Sequence, residues 1–275
     1  MRNELHVDPL TPAIGAEISG VDLTRPLTPG DSSALRAALN EHLVLFFRDQ
    51  ALDVAQLSAF GHRFGMPHTH PTEPDLPGYP GVMAIHTDAS STTYAGRLFH
   101  SDVSCDGVPP MGSILHLYEV PRTGGDTIFA SMVAAYDALS DDMKRSLQGL
   151  TARHDSAHNF GDYYGYDLAA SRDGEYPSNV HPVVATHPET GRKSLFVNEL
   201  FTRRIVELEP GESDSLLAFL WRHIREPRFH CRFRWRRHSV AFWDNRSTQH
   251  MALWDYFPHT RSGHRFTIAG TPAIS

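Results

Sequence analysis

Two cysteines in 275 residues, Cys105 and Cys231, are too few for a disulfide framework, and they do not form the CxxC pair that holds zinc or cycles redox state. Free thiols are expected. No apolar run approaches the roughly 20 residues needed to cross a bilayer, and the start, Met1-Arg-Asn-Glu-Leu-His-Val-Asp-Pro, lacks the apolar core of a secretory signal. A cytoplasmic location without a membrane partner is therefore expected. Basic residues form no block apart from the fold; Arg232–Arg237 comes nearest, and aromatics interrupt it. With a formal net charge of −7, no nucleic-acid partner is expected. Repeats, low-complexity tracts and Gly/Ser linkers are absent, and the Pro-rich stretch Pro67–Pro80 is too short for a tether. Residues 1–275 are expected to form a single domain that buries a large core.

What is present divides by texture. In the first part, Asp31-Ser32 reads as the N-cap of a helix carrying Leu35, Leu39 and Leu43, followed by a buried strand, Val44-Leu-Phe-Phe47. Asp53 opens a second helix with Leu57, Phe60 and Phe64, which Gly65 stops. Further helices are expected over Ala134–Leu139, over Asp141–Leu150 after the cap Ser140, and over Ser213–Ile224. Elsewhere, short β-branched and aromatic runs stand between Gly, Pro and Asp turns: Gly112–Val120, Ser194–Val197, Ser239–Trp243 and Arg265–Ile268. The pattern predicts an α+β protein with a mainly β core, a sandwich or jelly roll with flanking helices.

Phe99-His-Ser-Asp-Val103 places His100 and Asp102 two residues apart. On a strand, i and i+2 project from one face, whereas on a helix they diverge by about 200°. The apolar flanks favour the strand, and one face can then bind one metal. Two imidazoles and one carboxylate that leave adjacent positions open make the ligand set of non-haem Fe(II) oxygenases. HxD alone is weak, as a second copy, His86-Thr-Asp88, shows; its polar surroundings suggest loop residues without a metal role.

Two segments further along the chain decide between the copies: Gly124-Gly-Asp-Thr127 and Trp243-Asp-Asn-Arg-Ser-Thr-Gln-His250. With these, the chain resembles the taurine dioxygenase family of Fe(II)/2-oxoglutarate enzymes, from Gly15-Ala-Glu-Ile-Ser-Gly-Val-Asp-Leu23 to Ala269-Gly270. The resemblance implies a double-stranded β-helix, the jelly roll whose open end holds the metal. It implies His100, Asp102 and His250 as metal ligands, Thr127 and Arg261 on the distal carboxylate of 2-oxoglutarate, and Arg265 near the other carboxylate and the substrate anion. Chemistry agrees: a dicarboxylate in a partly dry pocket needs a permanent cation, and arginine's fork matches carboxylate geometry. The implied reaction consumes 2-oxoglutarate and O2, releases succinate and CO2, and hydroxylates a C–H bond of a small organic anion. A homo-oligomer, dimer or tetramer, is also implied.

For the substrate, the resemblance marks His70 within His68-Thr-His70-Pro71 as an anion contact, and Val103, Phe160 and Phe201 as pocket positions. Taurine-specific members carry a tyrosine and an asparagine where this chain has Glu73 and Gly96. Either Glu73 takes over the ammonium contact, or the substrate lacks an amine. The expected substrate is taurine or an alkyl sulfonate, with a sulfate ester or an aryloxyalkanoate as alternatives. Cys105, close behind Asp102, either lines the pocket or merely packs there. Two readings from other classes compete: a zinc hydrolase using the same triad, and a non-catalytic cupin-like binding protein.

Overall fold

The computed structural model describes residues 5–166 and 174–275. Fifteen strands and five α-helices are named here in chain order. The strands are β1 (His6–Pro9), β2 (Ala16–Ser19), β3 (Val44–Phe47), β4 (Val82–Thr87), β5 (Gly112–Glu119), β6 (Thr127–Ser131), β7 (Thr151–Asp155), β8 (Ser178–Pro182), β9 (Val184–Thr186), β10 (Lys193–Leu195), β11 (Thr202–Ile205), β12 (His230–Phe233), β13 (Ser239–Asp244), β14 (Thr248–Ala252) and β15 (Arg261–Ile268). The helices are α1 (Pro29–His42), α2 (Val54–His62), α3 (Met132–Asp137), α4 (Asp141–Leu147) and α5 (Pro210–Ile224).

A seven-stranded sheet in the order β1-β2-β3-β13-β5-β15-β4 faces a three-stranded sheet, β12-β6-β14. Aromatic side chains fill the space between them. Phe46 of β3 stacks on Phe233 of β12 with ring centroids 4.0 Å apart. Phe129 of β6 meets Phe46 edge-on at 5.5 Å and Trp243 of β13 at 5.7 Å.

Strand β13 illustrates the period-2 logic. Ala241 and Trp243 face this aromatic layer, while Val240 and Phe242 face a second core beneath α1 and α2 with Leu35, Leu39, Leu57 and Phe60. On that side α2 lies so close to β15 that a Cβ on Gly61 would fall 2.2 Å from the Phe266 ring, so only glycine fits. A third core joins the three-stranded sheet to α3 and α5 through Ala130, Met132, Ala135, Leu217 and Leu220. The fold is the expected jelly roll with flanking helices.

Element boundaries correct several expectations. α1 starts at Pro29 because Thr28, not Asp31-Ser32, is its N-cap: Thr28 accepts from the Asp31 main chain and Asp31 accepts from that of Thr28. Leu43 lies beyond that helix as a left-handed C-cap. α2 begins after Asp53 as expected and ends at His62. α3 is shifted to Met132–Asp137, α4 ends at Leu147, and α5 begins at Pro210, which Glu209 caps. Among the described residues, no helix is long and apolar enough to cross a membrane.

The turn between β13 and β14 is tied down by charge. Asp244, fully buried, accepts from Arg246 Nη2 at 2.6 Å, Arg246 Nε at 2.9 Å and His187 Nε2 at 2.9 Å. Burial alone would raise the Asp244 carboxyl, but these donors outweigh it and hold it down at about 2. Replacing Arg246 with Ala leaves the buried carboxylate with His187 as its remaining side-chain donor among those named. The expected cost is about 3–5 kcal/mol, read as a lowered urea midpoint at pH 7. Unchanged midpoints would remove this pair from the fold's supports.

Candidate active site

His250 lies on β14, and His100 pairs with it as a single antiparallel bridge: each main-chain N–H donates to the other's carbonyl, at 3.1 and 2.9 Å. Directly opposed residues project to the same face, and the two imidazole centroids lie 4.2 Å apart. The expected strand does not continue through Asp102. Asn245 captures the Asp102 N–H and carbonyl, leaving nothing for a ladder, and the chain turns there into Val103 at φ 46°.

This turn still delivers the carboxylate. Asp102 Oδ1 sits 3.7 Å from His100 Nε2 and 3.9 Å from His250 Nε2. The three side chains are buried, and their donor atoms lie within 4.8 Å of one another, a grouping that can hold one metal ion.

The protonation states suit a metal. His100 Nδ1 donates to the Leu98 carbonyl at 2.8 Å, which leaves the Nε2 lone pair free. Burial lowers both rings from their ordinary value, His250 to about 3, against the opposing pull of Asp102. Burial would raise Asp102, but Arg265 and the two histidines hold its carboxyl well below the usual carboxylate range.

His100 and His250 open on a cavity shared with Thr127, Arg261 and Arg265. Arg261 and Arg265 lie on β15 four residues apart and so on one face. Arg261 is 6% exposed and forms no ion pair among the described residues; its Nε donates to the Gly125 carbonyl at 3.3 Å, and its guanidinium lies over the Trp235 ring. Trp235 Nε1 also donates to Thr127 Oγ1 at 3.0 Å, so one indole braces both expected co-substrate contacts. Arg265 is differently engaged: Nη1 donates to Asp102 Oδ1 at 2.8 Å.

The expected substrate residues adjoin this cavity. Val103, Phe160 and Phe201 form one apolar cluster with Cys105 and Leu200, bordered by Tyr164 and Tyr166. The Phe201 centroid lies 6.4 Å from that of His100, and Phe160 lies 5.2 Å from His70. His70 Nδ1 accepts from the Glu73 and Thr72 main-chain N–H groups at 3.0 and 3.3 Å, which puts the ring proton on Nε2. Burial, and after it the Glu73 carboxylate nearby, push the Tyr166 hydroxyl up. Gly96 is left-handed, and a Cβ there would come within 3.2 Å of the His100 ring. Cys105 and Cys231 are buried free thiols.

His86 and Asp88 stand apart from this cavity. His86 is on β4 rather than in a loop, bonded to Ser262 Oγ at 2.8 Å and Asp88 at 3.2 Å. Sequence reasoning missed Ser113, Trp235 and Asn245. Ser113 donates from β5 to Asp102 Oδ2 at 2.7 Å, and its signal was a lone hydroxyl inside an apolar run.

A jelly roll with two imidazoles and a carboxylate at its mouth, facing a cavity with a buried arginine, defines the mononuclear-metal oxygenase class. Residues 6–267 match the family described as taurine catabolism dioxygenase TauD, TfdA family, and the chain belongs to it. It is a 2-oxoglutarate-dependent non-haem iron dioxygenase. Among its relatives is an alkylsulfatase of Acinetobacter baylyi, 34% identical over 97% of this chain and 86% of that protein. An alpha-ketoglutarate-dependent sulfate ester dioxygenase of Pseudomonas putida is 35% identical over 97% of this chain and 90% of that one. A crystal structure described as a putative alpha-ketoglutarate-dependent taurine dioxygenase, from Burkholderia xenovorans, superposes with a TM-score of 0.86 at 36% identity, covering 99% of this chain and 92% of that chain.

Burial holds His70 and His154 at about 3, with Arg265 next in effect at His70 and His181 next at His154. Both rings stay neutral where the unfolded chain takes up protons, so their stabilisation is complete above about pH 6.5 and is lost as pH falls toward 3. Each ring contributes at most about 1.4 kcal/mol per pH unit across that window. Urea midpoints of metal-free protein at pH 7.5, 6 and 5 should fall in that order, and a flat profile would refute the neutral rings.

Proposed function

We propose that His100, Asp102 and His250 bind Fe(II), that Arg261 and Thr127 receive the distal carboxylate of 2-oxoglutarate, and that the enzyme uses O2 to hydroxylate a small amine-free organic anion, an alkyl sulfonate or sulfate ester. The observation that carries the reading is Arg261: a buried guanidinium without an ion pair among the described residues, in the same cavity as His100 and His250. Burying a cation costs several kcal/mol unless a counter-charge arrives, and a dicarboxylate supplies one. The donor set fits the metal, since two neutral imidazoles and an ionised carboxylate need no proton release before binding. Fe(II) bound there supplies the redox chemistry that couples oxidative decarboxylation of 2-oxoglutarate to oxidation of a C–H bond.

The protein's own part is binding and exclusion. Arg261 and Thr127 fix one end of the co-substrate, and Phe160, Phe201 and Val103 offer an apolar wall for the substrate body. His70, neutral with its proton on Nε2, donates a hydrogen bond to an anion rather than a charge. Glu73 lies beside the Tyr166 hydroxyl, and Gly96 carries no side chain, which supports a substrate without an ammonium group. Two of the three similar proteins named above act on sulfate esters by their descriptions, in line with that class, and the third is described as a putative taurine dioxygenase. A zinc hydrolase or a cupin-like binding protein would give Arg261 no task.

Anaerobic protein mixed with Fe(II) and 2-oxoglutarate should develop the weak visible charge-transfer band of the chelate. His100→Ala, Asp102→Ala and His250→Ala should each abolish it, and His86→Ala should leave it intact. Arg261→Ala should raise the 2-oxoglutarate requirement by about 100-fold or more, the equivalent of 3–5 kcal/mol. Matching saturation curves for Arg261→Ala and wild type would sink the co-substrate assignment. In a panel scored by succinate formation coupled to substrate loss, taurine should do no better than an alkyl sulfonate of similar length, and a neutral compound outperforming every anion would overturn the substrate class.

A further inference from the structure

We propose that Ser113 and Asn245 are positioning residues that hold Asp102 as a one-oxygen metal ligand. The inference rests on the Fe(II) and 2-oxoglutarate reading above. A carboxylate can give a divalent ion one oxygen or two. Two would occupy a coordination position that 2-oxoglutarate or O2 needs, because the co-substrate takes two positions and O2 a third.

The two oxygens of Asp102 have different surroundings. Oδ1 faces His100 Nε2, His250 Nε2 and the guanidinium of Arg265. Oδ2 accepts from Ser113 Oγ at 2.7 Å. Ser113 is fully buried and paired on both sides within the large sheet, opposite Trp243 of β13 and Thr267 of β15, so its main chain cannot shift to follow the carboxylate if that group rotates. Rotation that brings Oδ2 toward the metal therefore breaks a buried, charge-assisted hydrogen bond.

Asn245 closes the other route, movement of the main chain. Its Oδ1 accepts from the Asp102 N–H at 2.6 Å, while its Nδ2 donates to the Asp102 carbonyl at 2.9 Å and to the Pro110 carbonyl at 3.1 Å. Asn245 is anchored in turn, its own N–H donating to the Met111 carbonyl at 2.9 Å. The clamp grips both main-chain polar groups of Asp102 just before Val103, a β-branched residue at φ 46°, where the backbone would otherwise relax. Side chain and backbone are thus held by separate residues from separate strand ends.

The two residues should fail differently. Ser113→Ala frees Oδ2, so Fe(II) binding should persist within a few-fold while 2-oxoglutarate binding to the Fe(II) protein weakens by about 10-fold or more, the range typical when a ligand's supporting hydrogen bond is lost. Asn245→Ala lets the whole residue drift, so Fe(II) affinity itself should fall by about 10–100-fold. Ser113→Thr, which retains the hydroxyl, should restore wild-type binding, and Ser113→Cys, which fills the same space with a weaker donor, should fall between Ser and Ala.

The experiment is anaerobic titration of the full chain, first with Fe(II) and then with 2-oxoglutarate, followed by the visible charge-transfer band, with thermal melting of each metal-free variant alongside. A selective loss of 2-oxoglutarate affinity in Ser113→Ala, rescued by Ser113→Thr, supports the proposal. Wild-type constants in Ser113→Ala overturn it, as does parallel weakening of both ligands in step with a lowered melting temperature, which assigns Ser113 a merely structural role. Absence of the band from wild type overturns the functional reading and this inference with it, whereas a wild-type band insensitive to Ser113 overturns this inference alone.

Discussion

An ionised carboxylate buried between two sheets has to be surrounded by donors or it will not stay ionised, and Asp102 is such a group. The groups that hold it come from several parts of the fold. The large sheet sends two donors to the carboxylate, Ser113 from β5 and Arg265 from β15, and the turn after β13 sends Asn245, which grips the Asp102 main chain. His250 arrives on β14, in the opposite sheet, and His100 is held beside it by main-chain bonds. These groups meet between the two layers of the jelly roll. The charged knot of Asp244, Arg246 and His187 fixes the turn that carries Asn245, so the fold's buried ion pair and the site's clamp occupy consecutive residues.

Much of this was legible in the sequence because it obeys local rules. The alternation in Ser239–Trp243 was visible, and the structure sends alternate residues of β13 into two different cores. Arg261 and Arg265 are an even number apart, and one strand carries both to one cavity. The α1 boundary slipped because Asp31 and Thr28 cap each other; both are good caps, and only the Pro29 position and the main-chain bond tell which residue is outside the helix. The boundary at Asp102 slipped for a longer-range reason. Its main-chain groups bond a side chain far along the chain, and such a contact leaves no periodic mark. Asn245 stood in full view within Trp243-Asp-Asn-Arg, yet nothing in one sequence says that an asparagine will grip a particular backbone.

The division of the site into two linings also bears on specificity. The cavity beside the histidines carries Arg261, Arg265 and Thr127, whereas the adjoining cluster carries Phe160, Phe201, Val103 and Leu200. A ligand with a charged head and an apolar body can satisfy both. The residue that looked most like an ammonium contact, Glu73, lies in the wall instead: its main chain donates to His70 and its carboxylate lies beside Tyr166. The main-chain N–H groups of Thr72 and Glu73 together set the His70 tautomer.

Charge balance carries the same conclusion further. The imidazoles of His70, His100 and His250 are held neutral by burial, so the Arg265 guanidinium faces the Asp102 carboxylate, while Arg261 feels the Asp126 carboxylate without an ion pair to it. In the proposed arrangement a divalent metal and a doubly charged co-substrate cancel each other, and Asp102 serves the metal, so the Arg265 guanidinium is left to a further anion. In a pocket walled by aromatic rings an unmatched cation is expensive to leave alone. The proposed singly charged substrate, a sulfonate or sulfate ester, would match it without adding an ammonium group.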